Sequence, residues 1–321
     1  MVKLDDIVAA AKHIDGHAVK TPLLTSDKLN TELGFKLWVK AEPLQRTGSF
    51  KFRGAMNAIS SLPDDGLPVL VFSSGNHAQG IALAAQIKGR KATIIMPKDA
   101  PQVKIENTKS YGAAVILYDR YTEDREAVAR KHLEKGTHAH LIPPFDDESV
   151  IAGQGTIGLE IAEQAALAGF TPDTAIICCG GGGLISGSSI ALKNAFPNVD
   201  IFSAEPAGFD DMARSLEHGH IVANAAGPRS ICDAIVTPQP GNITFPICQE
   251  LVAGGKVVSD TEVLKAMKTA FHYFKLIVEP GGCVALAAAL QPEFQAEGTN
   301  VVVVASGGNL DHDMLEAALK A

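Results

Sequence analysis

The chain has 321 residues, 46% of them apolar and 20% charged, a balance that supports a substantial core and a length that fits two ordinary domains or one large one. Its formal net charge of -8 speaks against nucleic acid or an anionic membrane as the main partner, because both select clustered lysine and arginine. Asp5 and Asp6 interrupt the start where a leader needs an apolar run, and no stretch approaches about 18 uncharged apolar residues without glycine, the length a membrane span requires.

Taken in chain order, β-branched runs alternate with alanine-rich segments of helical period. "LPVLVFSS" (67–74) precedes the helical "HAQGIALAAQIKG" (77–89), and "KATIIMP" (91–97) precedes "APQVKIENTKSYG" (100–112). "AAVILYD" (113–119) leads to "TEDREAVARKHLEKG" (122–136), and after "GTIGLEIAEQAALAG" (155–169) come the runs "TAIICCGG" (174–181), "DIFSAEP" (200–206) and "NVVVVASGG" (300–308). Continuous apolar runs spaced by helices predict an α/β protein with open, mostly parallel twisted sheets covered by helices on both faces. The loop "PPFDDESVIAGQG" (143–155) is the predicted return between sheets. Residues 67–147 then form a small inserted α/β domain, and residues 1–66 with 148–321 a large domain. Five cysteines, Cys178, Cys179, Cys232, Cys248 and Cys283, show no ligand spacing. They read as reduced thiols of a cytoplasmic protein, the adjacent pair ending a buried strand.

Three strand ends carry small polar residues, where ligands of open α/β sheets gather. "CCGGGGLISG" sets Gly180, Gly181, Gly182 and Gly183 between a strand and a helix opening near Leu184. Four glycines are entropically costly, and their amides with the helix N-terminus suit a phosphate, a flexible turn being the alternative. The motif lacks the Gly-Lys-Ser/Thr of a P-loop and the acidic residue of a dinucleotide fingerprint. "SSGNHAQG" (73–80) offers Ser73, Ser74 and Asn76 for a carboxylate, or simply for capping a helix. "ASGGNLD" (305–311) is a third such junction. "QRTGSFKFRGA" (45–55) places Lys51 between Phe50 and Phe52. A snorkelling surface lysine and a Schiff-base lysine with a desolvated amine both fit that spacing. A nearby phosphate site points the second reading toward pyridoxal phosphate.

"TGSFKFRGA", "SSGNHAQG", "IAGQGT", "GGGGL", "AEP" and "SGGN" together resemble, in order, the threonine/serine dehydratase and serine racemase family, from about Lys20 to Asp311. These are pyridoxal 5'-phosphate enzymes of fold type II, tryptophan synthase β-like. The resemblance implies Lys51 as the lysine that carries the cofactor, Phe50 packing on its ring and Asn76 contacting its phenolic oxygen. Gly180 to Gly183 and Leu184 would hold its phosphate, and Ser306 its pyridine nitrogen. Ser73, Ser74, Gly75, Asn76 and His77 would hold the substrate carboxylate, with Ser74 as a catalytic proton donor on the opposite substrate face. It also implies a divalent cation (Mg²⁺, Mn²⁺ or Ca²⁺) on the carboxylates of Glu205 and Asp211 and the carbonyl of Phe209, oxygen ligands that suit a hard ion. Ala234 stands where relatives carry glycine, and Gly281-Gly282 where Ser/Thr-Gly or Thr-Ala is usual. With the chain ending at Ala321, no regulatory domain and no feedback inhibition are expected.

The implied activity is a dehydratase (ammonia-lyase) that converts a β-hydroxy amino acid to a 2-oxo acid and ammonia, with Lys51 as general base. L-Serine and L-threonine compete with 3-hydroxyaspartate, whose second carboxylate needs a cationic or hydroxyl partner; Arg125 and Arg229 could serve, although a surface salt bridge is the favoured reading of each. "DRYTEDRE" (119–126) is similar to bacterial dehydratases of hydroxyectoine breakdown. Serine racemase with side elimination is the alternative within the family, and a non-catalytic phosphate-binding α/β protein is the alternative outside it. The expected partners are a small amino-acid substrate and a second copy of the chain in a homodimer, with no nucleic acid and no membrane.

Overall fold

A computed structural model describes residues 1–73, 75–100, 102–119, 122–134, 138–294 and 300–321, apart from the side chains of residues 103, 125, 126 and 132–134. The strands are β1 (Leu23–Thr25), β2 (Lys36–Ala41), β3 (Val69–Phe72), β4 (Ala92–Pro97), β5 (Ala114–Tyr118), β6 (His140–Leu141), β7 (Thr174–Cys178), β8 (Asp200–Pro206), β9 (Gly254–Val258) and β10 (Asn300–Ala305). They form two sheets, one of order β1-β2-β10-β7-β8-β9 and one of order β5-β4-β3-β6. Every pairing is parallel except β1 with β2. The α/β class and the two open, mostly parallel sheets agree with the sequence reading.

The six apolar runs read from sequence are all strands. The central β10 is buried from Val301 to Ala305, and the helix Pro280–Ala289 beside it is buried along its whole length. A strand with both faces covered has no polar side to show, which is why "NVVVVA" carries no alternation. One difference lies at 143–155: the helix Glu148–Ala168 begins inside the segment read as a loop. Asp147 accepts from the Val150 amide at 2.9 Å and starts that helix as its N-cap. The segment read as a return loop therefore ends at this cap, and the rest belongs to the first turns of a 21-residue helix.

That long helix packs between the helices Lys51–Ser60 and Gly183–Ala195. A Cβ on Gly153 would lie 2.6 Å from the Gly54 Cα, so glycine on both helices sets their separation. The helix Lys51–Ser60 gives Phe52, Met56 and Ile59 to a core shared with Val69 and Val71 of β3 and Ile94 and Met96 of β4. The segment just before it is bound to the other sheet, through a bridge between Ser49 and Gly307 and a Phe50 amide donating to the Ser306 carbonyl at 3.0 Å. The first residue of the helix, Lys51, thus stands where the two sheets meet.

Candidate active site

A cavity of about 850 Å³ opens at this junction. Phe50, Lys51, Ser73, Gly75, Asn76, His77, Gly180, Gly181, Gly182, Gly183, Leu184 and Ser306 line it. These residues come from four separate stretches of chain, and the strand ends at β3, β7 and β10 bring them together. Ser74 lies outside the described residues, as does the Arg125 side chain. Arg229 is exposed and does not line the cavity. Phe52, in contrast to its neighbour Phe50, is core with 0% exposure.

Lys51 owes its place to a buried ion cluster two residues on. Arg53 and Glu42 are fully buried and bonded twice, Nε to Oε2 and Nη2 to Oε1, each at 2.8 Å. Glu160 completes the cluster by accepting from Arg53 at 2.6 Å and from the Lys40 ammonium at 2.6 Å. Such a cluster is a costly way to gain stability but a strong constraint on where its members sit. The Lys51 amine donates to the Pro144 carbonyl at 2.8 Å and lies 5.1 Å from the centre of the Phe50 ring. Burial depresses its pKa from 10.5 to about 8. At neutral pH an appreciable fraction of the amine is therefore uncharged, the form a nucleophile or base needs. His77 is also buried, with Nε2 against the Ile142 carbonyl at 3.2 Å, and burial aided by the Lys51 charge pushes it down to about 3. It is a neutral imidazole across the physiological range.

The glycine run follows β7 and opens the helix Gly183–Ala195. Gly182 takes φ +97°, and no side chain caps the helix. The backbone amides of its first turn are left as donors, which suits an anion. A Cβ on Gly181 would lie 2.3 Å from the Phe145 ring, so that glycine is required by space rather than by conformation. Ser306 is 5% exposed, and its amide donates to the Gly282 carbonyl at 3.1 Å. Asn76 opens the helix Asn76–Ile87 and is 9% exposed. Ser73 accepts from the Gly75 amide at 3.3 Å, folding the turn that carries those residues.

Some residues lining the cavity, or just behind its wall, had no clear signal in the sequence. Lys104 is buried and paired with Asp233 across the cavity at 2.8 Å. Burial opposes its charge, but the carboxylates of Asp233 and Glu279 outweigh that and raise its pKa. Glu279, 1% exposed, accepts from Asn76 at 2.6 Å, and burial raises it to about 7. Its only marking in the sequence is a carboxylate directly before "PGG". Ala234 also lines the cavity, and Gly281 packs 3.2 Å from its Cβ, measured from the position a side chain would take.

Glu205, Phe209 and Asp211 do not line the cavity. Glu205 accepts from the Met212 and Ala213 amides at 2.8 Å each, and Asp211 accepts from Asn224 at 2.6 Å. Both carboxylates are fully buried, and Asp211 Oδ2 has no partner. Burial, with the charges of Asp211 and Asp210 added, raises Glu205 well above the usual range, and burial, with the charge of Asp210 added, raises Asp211 to about 6. Among the described residues no group of three His, Cys, Asp or Glu side chains could hold a metal.

The uncapped glycine turn, facing a buried amine of depressed pKa in one cavity, fits a phosphate-bearing aldehyde cofactor. Residues 14–307 match the family model described as pyridoxal-phosphate dependent enzyme. The L-threo-3-hydroxyaspartate ammonia-lyase of Pseudomonas sp is 42% identical over 98% of this chain and 98% of its own length. The serine racemase of Schizosaccharomyces pombe is 42% identical over 96% of this chain and 94% of its own. The structure of maize serine racemase superposes with a TM-score of 0.92 at 38% identity, covering 99% of this chain and 97% of that one.

Proposed function

The chain belongs to the pyridoxal-phosphate-dependent enzymes, and from that premise we propose that it is an ammonia-lyase of a β-hydroxy amino acid. The observation that carries this reading is the Lys51 amine, depressed to about 8 by burial and facing the uncapped glycine turn across one cavity. When bound, pyridoxal phosphate supplies a sink for the electron pair left at Cα, which lets a β-hydroxyl depart. We assign Lys51 to carry it and Phe50 to flank its ring. The amides from Gly180 to Leu184 would take the phosphate, Ser306 would bond the ring nitrogen and Asn76 the phenolic oxygen. Lys51, partly uncharged, accepts the Cα proton at Nζ. Ser73, Ser74, Gly75, Asn76 and His77 would hold the substrate carboxylate. His77 stays neutral there and adds no charge.

Similarity to a 3-hydroxyaspartate ammonia-lyase over nearly the whole of both chains supports a hydroxy amino acid as substrate, with 3-hydroxyaspartate beside L-serine and L-threonine. Similarity at the same identity to a serine racemase supports racemisation as the second reading, with Ser74 as proton donor. Purified protein given pyridoxal phosphate is expected to gain a visible absorption band that Lys51→Ala lacks. L- and D-serine, L-threonine and the 3-hydroxyaspartate isomers are then scored for 2-oxo acid and for change of chirality. A protein that stays colourless overturns the enzyme reading in favour of a non-catalytic phosphate binder. Inverted serine without 2-oxo acid favours the racemase.

We also propose a divalent cation at Glu205 and Asp211 with the Phe209 carbonyl. Two buried carboxylates, one with an unpartnered oxygen, are the donor set a hard ion neutralises. Added Mg²⁺ is expected to raise the melting temperature of the chelated protein, and Asp211→Asn to abolish that rise. An equal melting temperature with and without Mg²⁺ removes the site.

A further inference from the structure

Asn76 is held by two side chains that the assignments above do not use. Asn309 Nδ2 donates to the Thr47 carbonyl at 2.7 Å and to Asn76 Oδ1 at 2.8 Å. Asn76 Nδ2 in turn donates to Glu279 Oε1 at 2.6 Å. An amide can be turned end for end at little cost, so its polarity has to come from its partners. Here the Thr47 carbonyl can only accept, which makes the near end of Asn309 the nitrogen. Both N–H groups of Asn309 are then spent, and the end of Asn76 that it meets must be the oxygen. The nitrogen of Asn76 faces Glu279, leaving one N–H for the cavity.

The surrounding backbone is shaped to allow this chain of bonds. Thr47 takes φ +59°, the left-handed region that a β-branched residue avoids. Its carbonyl is the anchor of the whole relay, which gives that costly conformation a purpose. A Cβ at Gly307 would lie 2.1 Å from Glu279 Oε1 and 3.3 Å from Asn76 Nδ2, so glycine is needed for the two to meet. The second carboxyl oxygen, Glu279 Oε2, is buried without a partner. With Glu279 raised to about 7 by burial, that oxygen is the one free to take a proton as pH falls through that value. Oε1 stays an acceptor in either state.

We infer that Asn309 and Glu279 are positioning residues that hold Asn76 with its nitrogen, and one free N–H, presented to the ligand of this cavity. This rests on the assignment of Asn76 to the cofactor's phenolic oxygen. Asn309→Asp tests it, because an aspartate cannot donate to Thr47 or to Asn76 and so reverses the required polarity. Glu279→Gln keeps an acceptor for Asn76 and resembles the protonated carboxyl, whereas Glu279→Ala removes the acceptor.

Two measurements separate the relay from the cofactor assignment. In cofactor-free protein labelled with ¹⁵N-asparagine, the Asn76 side-chain amide signals are expected to move in Asn309→Asp and Glu279→Ala and to stay close to wild type in Glu279→Gln. Equilibrium dialysis against pyridoxal phosphate is expected to show affinity lower by about tenfold in the first two and within about threefold of wild type in the third, the scale of one buried hydrogen bond. Their cofactor absorption band is expected to shift as well, which a general loss of stability does not produce. Unmoved Asn76 signals in Asn309→Asp overturn the relay. Moved signals with unchanged affinity and band overturn its link to the ligand. Wild-type protein that binds no pyridoxal phosphate overturns the cofactor assignment, and the link with it, while the ¹⁵N signals still judge the relay.

Discussion

At the scale of one residue, Lys51 shows how a functional group is built against stability. Its folded pKa near 8 lies below the 10.5 of an ordinary lysine. Between those values the unfolded chain binds more protons than the folded one, so the stability of cofactor-free protein rises with pH across that window. Below pH 8 the full cost of a buried ammonium is present, and above 10.5 it is gone. Lys51→Met removes the charge while keeping the stem, at the loss of one hydrogen bond to Pro144. Cofactor-free Lys51→Met is therefore expected to melt about 2–4 °C above wild type at pH 7, with the gap closing near pH 10.5. Calorimetry across that range checks it, and a variant less stable than wild type at pH 7 would contradict the account. Lys51 was legible in the sequence because a lysine between two phenylalanines is odd on its own. Glu279 and Asn309 were not, since their roles arise from a meeting with Asn76 across more than 200 positions of chain.

Among elements, legibility followed burial. The runs that became β3, β4, β7, β8 and β10 stand out because well-covered parallel strands hide both faces, whereas β5, at a sheet edge and only partly buried, stands out by its apolar run alone. β2 is interrupted by Lys40, whose charge is held by Glu160, and β9 begins with two glycines at a sheet edge. β1 and β6 have only three and two residues. Such strands exist because a neighbour is already in place, which no local pattern records. The glycine run was legible as an element, although its glycines have different reasons. Gly182 needs its positive φ, and alanine there would also meet Thr244 Oγ1 at 2.7 Å. Gly181 needs only the room that Phe145 occupies. Gly181→Ala is accordingly expected to weaken pyridoxal phosphate binding by about tenfold, with a coupling of roughly 1 kcal/mol or more to Phe145→Ala. Alanine at 182 should gain nothing from the smaller residue at 145. A titration of the three single variants and the two double variants distinguishes the two causes, and equal rescue at both positions would refute them.

The whole molecule is two sheets joined around a cavity, and few polar links cross it. Composition and the alternation of runs revealed both sheets, but contacts between distant segments decide how they face each other. Lys51 reaches the Pro144 carbonyl, and Asp146 accepts from the Asn242 and Ile243 amides at 2.9 and 2.8 Å. Lys104, from the helix Gln102–Ser110 beside the smaller sheet, pairs with Asp233 from the segment after β8. The partners of this last link are unequal: the Lys104 side chain is 6% exposed and that of Asp233 is 56% exposed. Removing the lysine returns an aspartate to water at small cost. Removing the aspartate leaves a buried ammonium with only the weaker attraction of Glu279 and Asp311 to offset it. Asp233→Asn is therefore expected to destabilise the protein by about 1–3 kcal/mol, and Lys104→Met by less than about 1 kcal/mol. Urea unfolding of both variants at pH 7 and low salt measures the difference. Adding Lys104→Met to the Asp233→Asn chain should recover most of the loss, because the stranded charge goes with it. Failure of that rescue would mean that the pair merely records how the sheets meet, and that Lys104 is solvated at the cavity mouth.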